Sequence, residues 1–392
     1  MKVCFETFGC RLNKAEALQM EAEYLARGWE LTDKHSEADL FIVRGCSVTA
    51  RAQYNCEKLI SHLRRHYPTT QLRIEGCLKT SNSQLPVPHT KTQAQSPQLP
   101  APLPTRTARA YLKVQDGCSG KCTFCIVPTF RGKSKSIPFG ELVDRARRFI
   151  DAGYHEIVVT GCNLSLYASE GKRLPELLSA LADLSPTCRI RLGSVEPGPA
   201  AKACIDVIAA QTNCCRFLHL PVQSGSNRIL LAMLRPYMLR DVEELIGYAC
   251  AKIPNLGLGC DIMTGFPGES ELDFDASCGF LLRHPFSNAH IFPYSERPGT
   301  PAAAYMNAVP KAIRSARAHK LSALVNQSRK TFARRFIGKT VDIVVESNDT
   351  CQGWTGEYLP CEAIGIAPRK ELVSVIVTGY RNGKLRGRLK KA

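Results

Sequence analysis

The chain reads as an α/β protein in three parts: an open parallel sheet, a partial parallel barrel of six strand–helix units, and a small all-β module. Three observations predict this. Apolar strand-like runs alternate with amphipathic helical stretches in two separate series. A stretch at 84–107 with six prolines and no acidic residue divides them. After a long basic helix, the chain closes in short strands punctuated by glycine.

In the first series KVCFETFG, DLFIVRG and QLRIEG read as strands, with LNKAEALQMEAEYLARG and AQYNCEKLISHLRRHY as the helices between them. That order predicts an open parallel sheet, assigned to 1–83. Residues 84–107 form a linker, partly extended by its prolines. From Ala110 a second series has strands at YLKVQ, HEIVVTG, RIRLGSV, RFLHLPV, LGLGCDIMTG and NAHIFPY, with helical stretches after the first five. Six repeats within 108–308 predict a barrel smaller than the usual eight-stranded one of ~250 residues. A helical connector follows at 309–338; from Lys311 to Lys339 it carries nine Lys or Arg and no acid. Residues 339–392 form the all-β module.

Composition narrows the function. No run approaches the ~18 apolar residues of a membrane span. MKVCFETFGC lacks the apolar core of a signal peptide, so a cytosolic protein is expected. There the eighteen cysteines stay mostly reduced, serving as metal ligands or, as at Cys4, Cys56, Cys204 and Cys250, as small buried apolar residues. A net charge of +17 points to a polyanionic partner, most often nucleic acid. From Arg329 onward thirteen Lys and Arg face six acids, which suggests a phosphate-tracking surface. Removal of the chain from about Gly338 is therefore expected to weaken RNA binding and leave the barrel's chemistry intact.

Cys118, Cys122 and Cys125 follow the first barrel strand, on a loop at the carboxyl edge where barrel sites are built. Three thiolates at this spacing can hold three corners of a 4Fe-4S cube and leave one iron open to a substrate. A zinc site would need a fourth ligand, and only the distant His155 and Cys162 offer one. Cys10, Cys46 and Cys77 each follow a glycine and a predicted strand. Although 36 and 31 positions apart, they fall at strand ends that share one edge of a parallel sheet and so can converge.

CSGKCTFC, with Phe124 before its last cysteine, resembles the motif of the radical S-adenosylmethionine superfamily. TFGCRLNKAE, YLKVQDGCSGKCTFCIVP, RGKSKSIP, EIVVTGCN, IRLGSVEP, HLPVQSGSNRIL, DIMTGFPGE and FPYSERPGTPAA resemble, in order, phrases of the methylthiotransferases. That resemblance implies a radical barrel with a C-terminal TRAM-like β-barrel. It implies S-adenosylmethionine and two 4Fe-4S clusters, one on Cys118, Cys122 and Cys125, the other, the sulfur donor, on Cys10, Cys46 and Cys77. It makes Phe124, Gly161, Asn163, Ser194, Glu196, Gln223 and Ser224 candidate cofactor contacts. It also implies an electron donor such as a flavodoxin or ferredoxin, and tRNA held by its anticodon arm. Cys10-Arg11-Leu12-Asn13 looks most like the branch that modifies C2 of N6-threonylcarbamoyladenosine at position 37. The isopentenyl-adenosine branch and the ribosomal-protein enzymes share the plan, and a non-catalytic RNA-binding protein with a structural cluster is the reading from another class. Arg44-Gly45 and Lys79-Thr80 depart from the family's usual Asn-Thr and Ala-Gln.

Overall fold

The computed structural model describes residues 1–46, 50–78 and 107–390. The predicted linker, apart from Thr107, lies outside these residues, as do Lys79 and Thr80.

The first strand, β1 (Lys2–Thr7), leads through Cys10 into α1 (Arg11–Ala26). A short edge strand, β2 (Glu30–Leu31), precedes β3 (Leu40–Cys46), α2 (Ala50–His66) and β4 (Gln71–Cys77). All pairs are parallel, in the order β2-β1-β3-β4. The sequence reading gave three of these four strands; two residues are too few to carry a periodic signal.

The barrel begins at β5 (Ala110–Lys113). A short ladder, β6 (Gln115–Asp116) with β7 (Lys135–Ser136), brackets the cysteine loop and α3 (Val127–Arg131). Then come α4 (Phe139–Asp151), β8 (Glu156–Thr160), the small hairpin β9 (Ala168–Ser169) and β10 (Lys172–Arg173), and α5 (Leu174–Ala182). The chain continues through β11 (Arg189–Leu192), α6 (Pro199–Ala210), β12 (Phe217–Gln223), α7 (Asn227–Ala232) and α8 (Leu239–Lys252). It ends with β13 (Gly257–Thr264), α9 (Glu271–Arg283) and β14 (Phe286–Pro293). Two three-stranded parallel sheets, β5-β8-β11 and β12-β13-β14, meet at the bridges Ile190–Cys214 and Ser194–His219. Six parallel strands thus stand in chain order, the expected partial barrel.

Alternation along the strands decides what faces where. Ile157, Val159, Ile190, Leu192, Leu218 and Leu220 enter the main core with the outer helices. Their neighbours Val158, Arg191 and His219 therefore face the lumen. On the inward side of β5 and β8, Tyr111 and Val158 pack against Ala15 and Leu18 of α1, so the first domain closes that part of the barrel.

The basic helix α10 (Lys311–Arg334) packs along β14. Its cations are not all at the surface: Arg314 and Arg317 are buried, paired with Glu296 and with Glu269 and Glu271 respectively. They hold the helix to the barrel and leave Lys311, Lys320, Lys330, Arg334 and Arg335 exposed. Beyond it, β15 (Thr340–Val345), β16 (Cys351–Trp354), β17 (Pro360–Ile364), β18 (Leu372–Arg381) and β19 (Lys384–Leu389) close into a barrel, ordered β15-β16-β17-β19-β18. Its turn at Thr355–Leu359 enters the base of the larger barrel. Tyr358 stacks on Phe217, centroids 4.8 Å apart, and on Trp354, 4.5 Å apart. Gly257 admits this turn: a Cβ there would meet the Glu357 carbonyl oxygen at 2.2 Å.

All eighteen cysteines are free. Cys4, Cys56 and Cys204 are buried as expected, but Cys250 is exposed because it falls on the solvent side of α8. Among the described residues no helix is long and apolar enough to cross a membrane.

Candidate functional site

The first triplet is assembled by backbone approach at three strand ends. Cys46 and Cys77 end β3 and β4 and are paired in register. Gly9, at φ +95°, leaves room that a Cβ would take from Cys46, whose own Cβ would then be 2.6 Å away and its Sγ 3.0 Å. Gly76, at φ +88°, would likewise drive a Cβ to 2.6 Å from the Gly45 carbonyl oxygen. These two positions require glycine, both for the left-handed backbone and for the space. Asn13, buried one turn into α1, donates to the carbonyls of Phe8 and Gly45 at 2.7 and 3.0 Å and so fixes the Cys10 turn against the Cys46 strand.

The second triplet is local. Cys118 accepts from its own loop at Gly120 N, 3.3 Å, and a Cβ on Gly120 would lie 3.3 and 3.9 Å from the sulfurs of Cys118 and Cys122. Thr123 ties the loop down, donating from N and Oγ1 to the carbonyls of Met233 and Ala232. Phe124 packs on the apolar group of Ile229, Met233, Met263, Phe266, Tyr294 and Ala302. Burial raises the Cys122 pKa, with Arg235 opposing, and pushes the Cys125 thiol up to about 11. Burial raises Cys77 too, against the pull of Arg131. The raised thiols Cys77, Cys122 and Cys125 must lose their protons to ligate a cluster, and the neighbouring guanidinium donors of Arg131 and Arg235 favour the thiolate form. The donor sets and spacing fit a 4Fe-4S cluster at each triplet.

Arg131, six positions after Cys125, reaches from α3 to the first triplet. Its Nε donates to Cys77 Sγ at 3.1 Å, its Nη2 to Asn13 Oδ1 at 3.0 Å, and both terminal nitrogens reach Glu16, at 2.8 and 3.0 Å. Burial alone would raise the Glu16 pKa, but Arg131, Lys113 and Arg44 hold it well below the carboxylate range. Arg44, the departure from the family pattern, pairs with both Glu16 and Glu75. Lys113 bridges Glu16 and Asp116, each at 2.6 Å.

Of the other predicted residues, Asn163 and Glu196 come together with an arginine the sequence reading gave no role. Asn163 Nδ2 donates to Glu196 Oε2 at 3.0 Å; Arg235 donates to Glu196 Oε1 at 2.6 Å and to Cys122 Sγ at 2.9 Å. Gly161 makes room for Gln115, whose Oε1 would stand 3.0 Å from a Cβ there and accepts from Asn163 N at 2.9 Å. Gln223 ends β12 at φ +74°, buried, and its Oε1 has no partner among the described residues. A strained strand-end residue presenting a buried acceptor is a mark of a ligand site. Ser224 is buried and accepts from Ser226 N, whereas Ser194 is exposed and joins this group only through its backbone bridge to His219. In the lumen, Asp261 Oδ1 lies 3.1 Å from His219 Nε2 and 3.0 Å from His290 Nδ1.

Comparison with known proteins follows the same division. Residues 112–281 match the model of the radical SAM superfamily, and 2–93 match a model described as uncharacterized protein family UPF0004. The chain is 30% identical to the threonylcarbamoyladenosine tRNA methylthiotransferase MtaB of Aquifex aeolicus, over 96% of this chain and all of that one. It is 31% identical to the tRNA-2-methylthio-N(6)-dimethylallyladenosine synthase of Cereibacter sphaeroides, over 88% and 87%. Among solved structures, the radical S-adenosylmethionine methyltransferase TsrM of Kitasatospora setae superposes with a TM-score of 0.55 at 14% identity, covering 77% of this chain and 75% of that one, a likeness of fold alone.

Proposed function

Since the chain belongs to the radical S-adenosylmethionine methylthiotransferase family, we propose that it adds a methylthio group to C2 of N6-threonylcarbamoyladenosine at position 37 of tRNA. The observation that carries the reading is a pair of three-cysteine sets with no fourth ligand in either motif, one of which, at Cys77, is reached by Arg131 from the helix that follows the loop of the other. A structural cluster would take four ligands; two three-ligand sites leave two open irons. We assign Cys118, Cys122 and Cys125 to the radical cluster and Cys10, Cys46 and Cys77 to the sulfur-donor cluster. When bound, the clusters and S-adenosylmethionine supply hydrogen-atom abstraction and the methylated sulfur.

The protein's own residues do the rest. Asn163, Glu196 and Arg235 form a fixed polar wall beside Cys122, suited to holding the polar groups of S-adenosylmethionine. Gln223 presents a buried acceptor to the same cofactor, with Gly161, Ser194 and Ser224 on neighbouring strand ends and Phe124 beneath the loop. The Glu16–Arg131 centre seals the domain interface and keeps water from reactive species. Exposed Arg334, Arg335, Lys339, Arg381, Arg388 and Lys390 are suited to the anticodon arm, while the target base, unstacked from its loop, turns its Watson–Crick edge into the barrel mouth. Eighteen free thiols fit a reducing, cytosolic setting, where a flavodoxin or ferredoxin would deliver electrons.

The dimethylallyladenosine relative, at 31% identity, supports a second reading in which the isopentenyl base is the target. Nucleosides from tRNA of cells lacking the gene, weighed with and without its restoration, separate the two. Return of the methylthio-threonylcarbamoyl nucleoside supports the first reading; return of only the methylthio-isopentenyl form replaces it with the second.

A further inference from the structure

Arg297 is a buried arginine with an unanswered charge. It is 8% exposed, yet it has no ion pair among the described residues. Its Nη1 donates to Gln53 Oε1 at 2.9 Å, and its Nε and Nη2, both buried, meet no acceptor among the described residues. Arg44, Arg131, Arg191 and Arg235, buried to a similar degree, each touch a carboxylate.

Its place is equally specific. Arg297 follows β14, and its carbonyl accepts from Thr300 N and Oγ1 at 3.1 and 2.8 Å, which fixes the loop. The side chain crosses from the barrel mouth to α2 of the N-terminal domain through Gln53. Nε and Nη2 form one edge of the guanidinium, the edge that takes both oxygens of a carboxylate or phosphate. A buried cation with two vacant donors is costly unless an anion completes it.

We propose that Arg297 binds an oxyanion of the substrate nucleotide, either the amino-acid carboxylate on the modified adenine or a phosphate flanking it. The inference rests on the tRNA reading and adds a recognition residue to it. The carboxylate would explain a preference for an acidic over an aliphatic modification; the phosphate would hold the nucleotide whatever its modification.

Three anticodon stem-loops separate these: one with threonylcarbamoyladenosine, one with its neutral methyl ester, one with plain adenosine. Each is titrated anaerobically into the cluster-loaded enzyme and into Arg297→Gln, with iron content and unfolding confirming that the variant is intact; Arg297→Lys, which keeps charge and loses the fork, serves if it is not. If the carboxylate is the ligand, the enzyme binds the acid about tenfold tighter than the ester, and the variant loses that difference. If the phosphate is, the variant weakens all three alike and lowers the salt slope by about one. Unchanged affinity for all three loops, with altered cluster spectra, overturns the proposal and makes Arg297 a partner of the cluster. Failure of the native enzyme to bind any loop sinks the tRNA reading and the proposal with it, an outcome distinct from loss of the Arg297 effect alone.

Discussion

Glu16 and Glu156 organise opposite ends of the barrel by the same device, one buried carboxylate among three cations. At the base, Glu156 is fully buried and meets Arg109, Arg189 and Arg191. The donors left over on Arg189 and Arg191 go to backbone carbonyls of the C-terminal module, at Asp342, Trp354, Thr355 and Gly356. At the mouth, Glu16 meets Arg44, Arg131 and Lys113, whose remaining donors go to Glu75, Asn13, Asp116 and a thiol, Cys77 Sγ. The first network ends on carbonyls and the Glu346 carboxylate of the C-terminal module. The second ends on Cys77, a proposed cluster ligand. Where the spare donors of a buried ion group terminate therefore separates a structural clamp from a functional one.

The largest effect should follow Glu156→Gln. Burial would raise the Glu156 pKa, but its arginines hold it far below the ordinary range, so the group is charged in the folded state. Removing that charge strands the guanidiniums of Arg189 and Arg191, while Arg109 keeps Glu346, and should cost about 3–5 kcal/mol, read by denaturant unfolding. A loss under about 1 kcal/mol would place the grip on the module in the stack of Tyr358 with Phe217 and Trp354 instead. The same geometry changes the meaning of a truncation at Gly338. Sequence predicts a separable RNA-binding tail, whereas the structure makes its Thr355–Leu359 turn the cover of a buried ion group. Paired substitutions of exposed Arg381 and Arg388 test RNA binding without uncovering it.

Glu16→Gln should cost less stability, about 1–3 kcal/mol, but should cost iron. In a background with Cys118, Cys122 and Cys125 changed to Ala, the native interface should hold about four irons per chain. Glu16→Gln should lower that occupancy, because Arg131 and Arg44 lose the group that positions them beside Cys77 and β3. Glu156→Gln in the same background should unfold more easily yet keep its iron. Equal iron loss in both would erase the distinction between the two networks.

Both triplets can be proposed from the sequence, for different reasons. Cys118, Cys122 and Cys125 are a local pattern on one loop. Cys10, Cys46 and Cys77 are far apart in sequence, but each sits after a glycine at a strand end, and two of those glycines prove to need positive φ. Arg131 and Arg235 were not legible as ligand neighbours. Their partners lie 115 and 113 positions away, at Glu16 and Cys122, and in a chain with 52 Lys and Arg nothing local sets them apart. The basic helix misled in the opposite direction: a run of cations reads as solvated, yet Arg314 and Arg317 turn inward because Glu269, Glu271 and Glu296 await them.

The smallest effect concerns the two guanidinium–sulfur contacts, Arg131 Nε to Cys77 at 3.1 Å and Arg235 Nη1 to Cys122 at 2.9 Å. A cationic donor draws charge from a ligating sulfur and favours the more negative, reduced cluster. Lysine at either position keeps the charge near its carboxylate partner and loses the directed bond. A bond worth ~1.4 kcal/mol corresponds to about 60 mV for one electron, so each substitution should lower one midpoint potential by up to about that much. Arg131→Lys should move only the cluster on Cys10, Cys46 and Cys77, and Arg235→Lys only the one on Cys118, Cys122 and Cys125. Anaerobic redox titration followed by electron paramagnetic resonance, in proteins holding one cluster or both, reads each separately. If Arg131→Lys shifts both potentials when both clusters are present and one when either is absent, the mouth of the barrel is electrically shared, and Arg131 couples the two sites as well as joining the two domains.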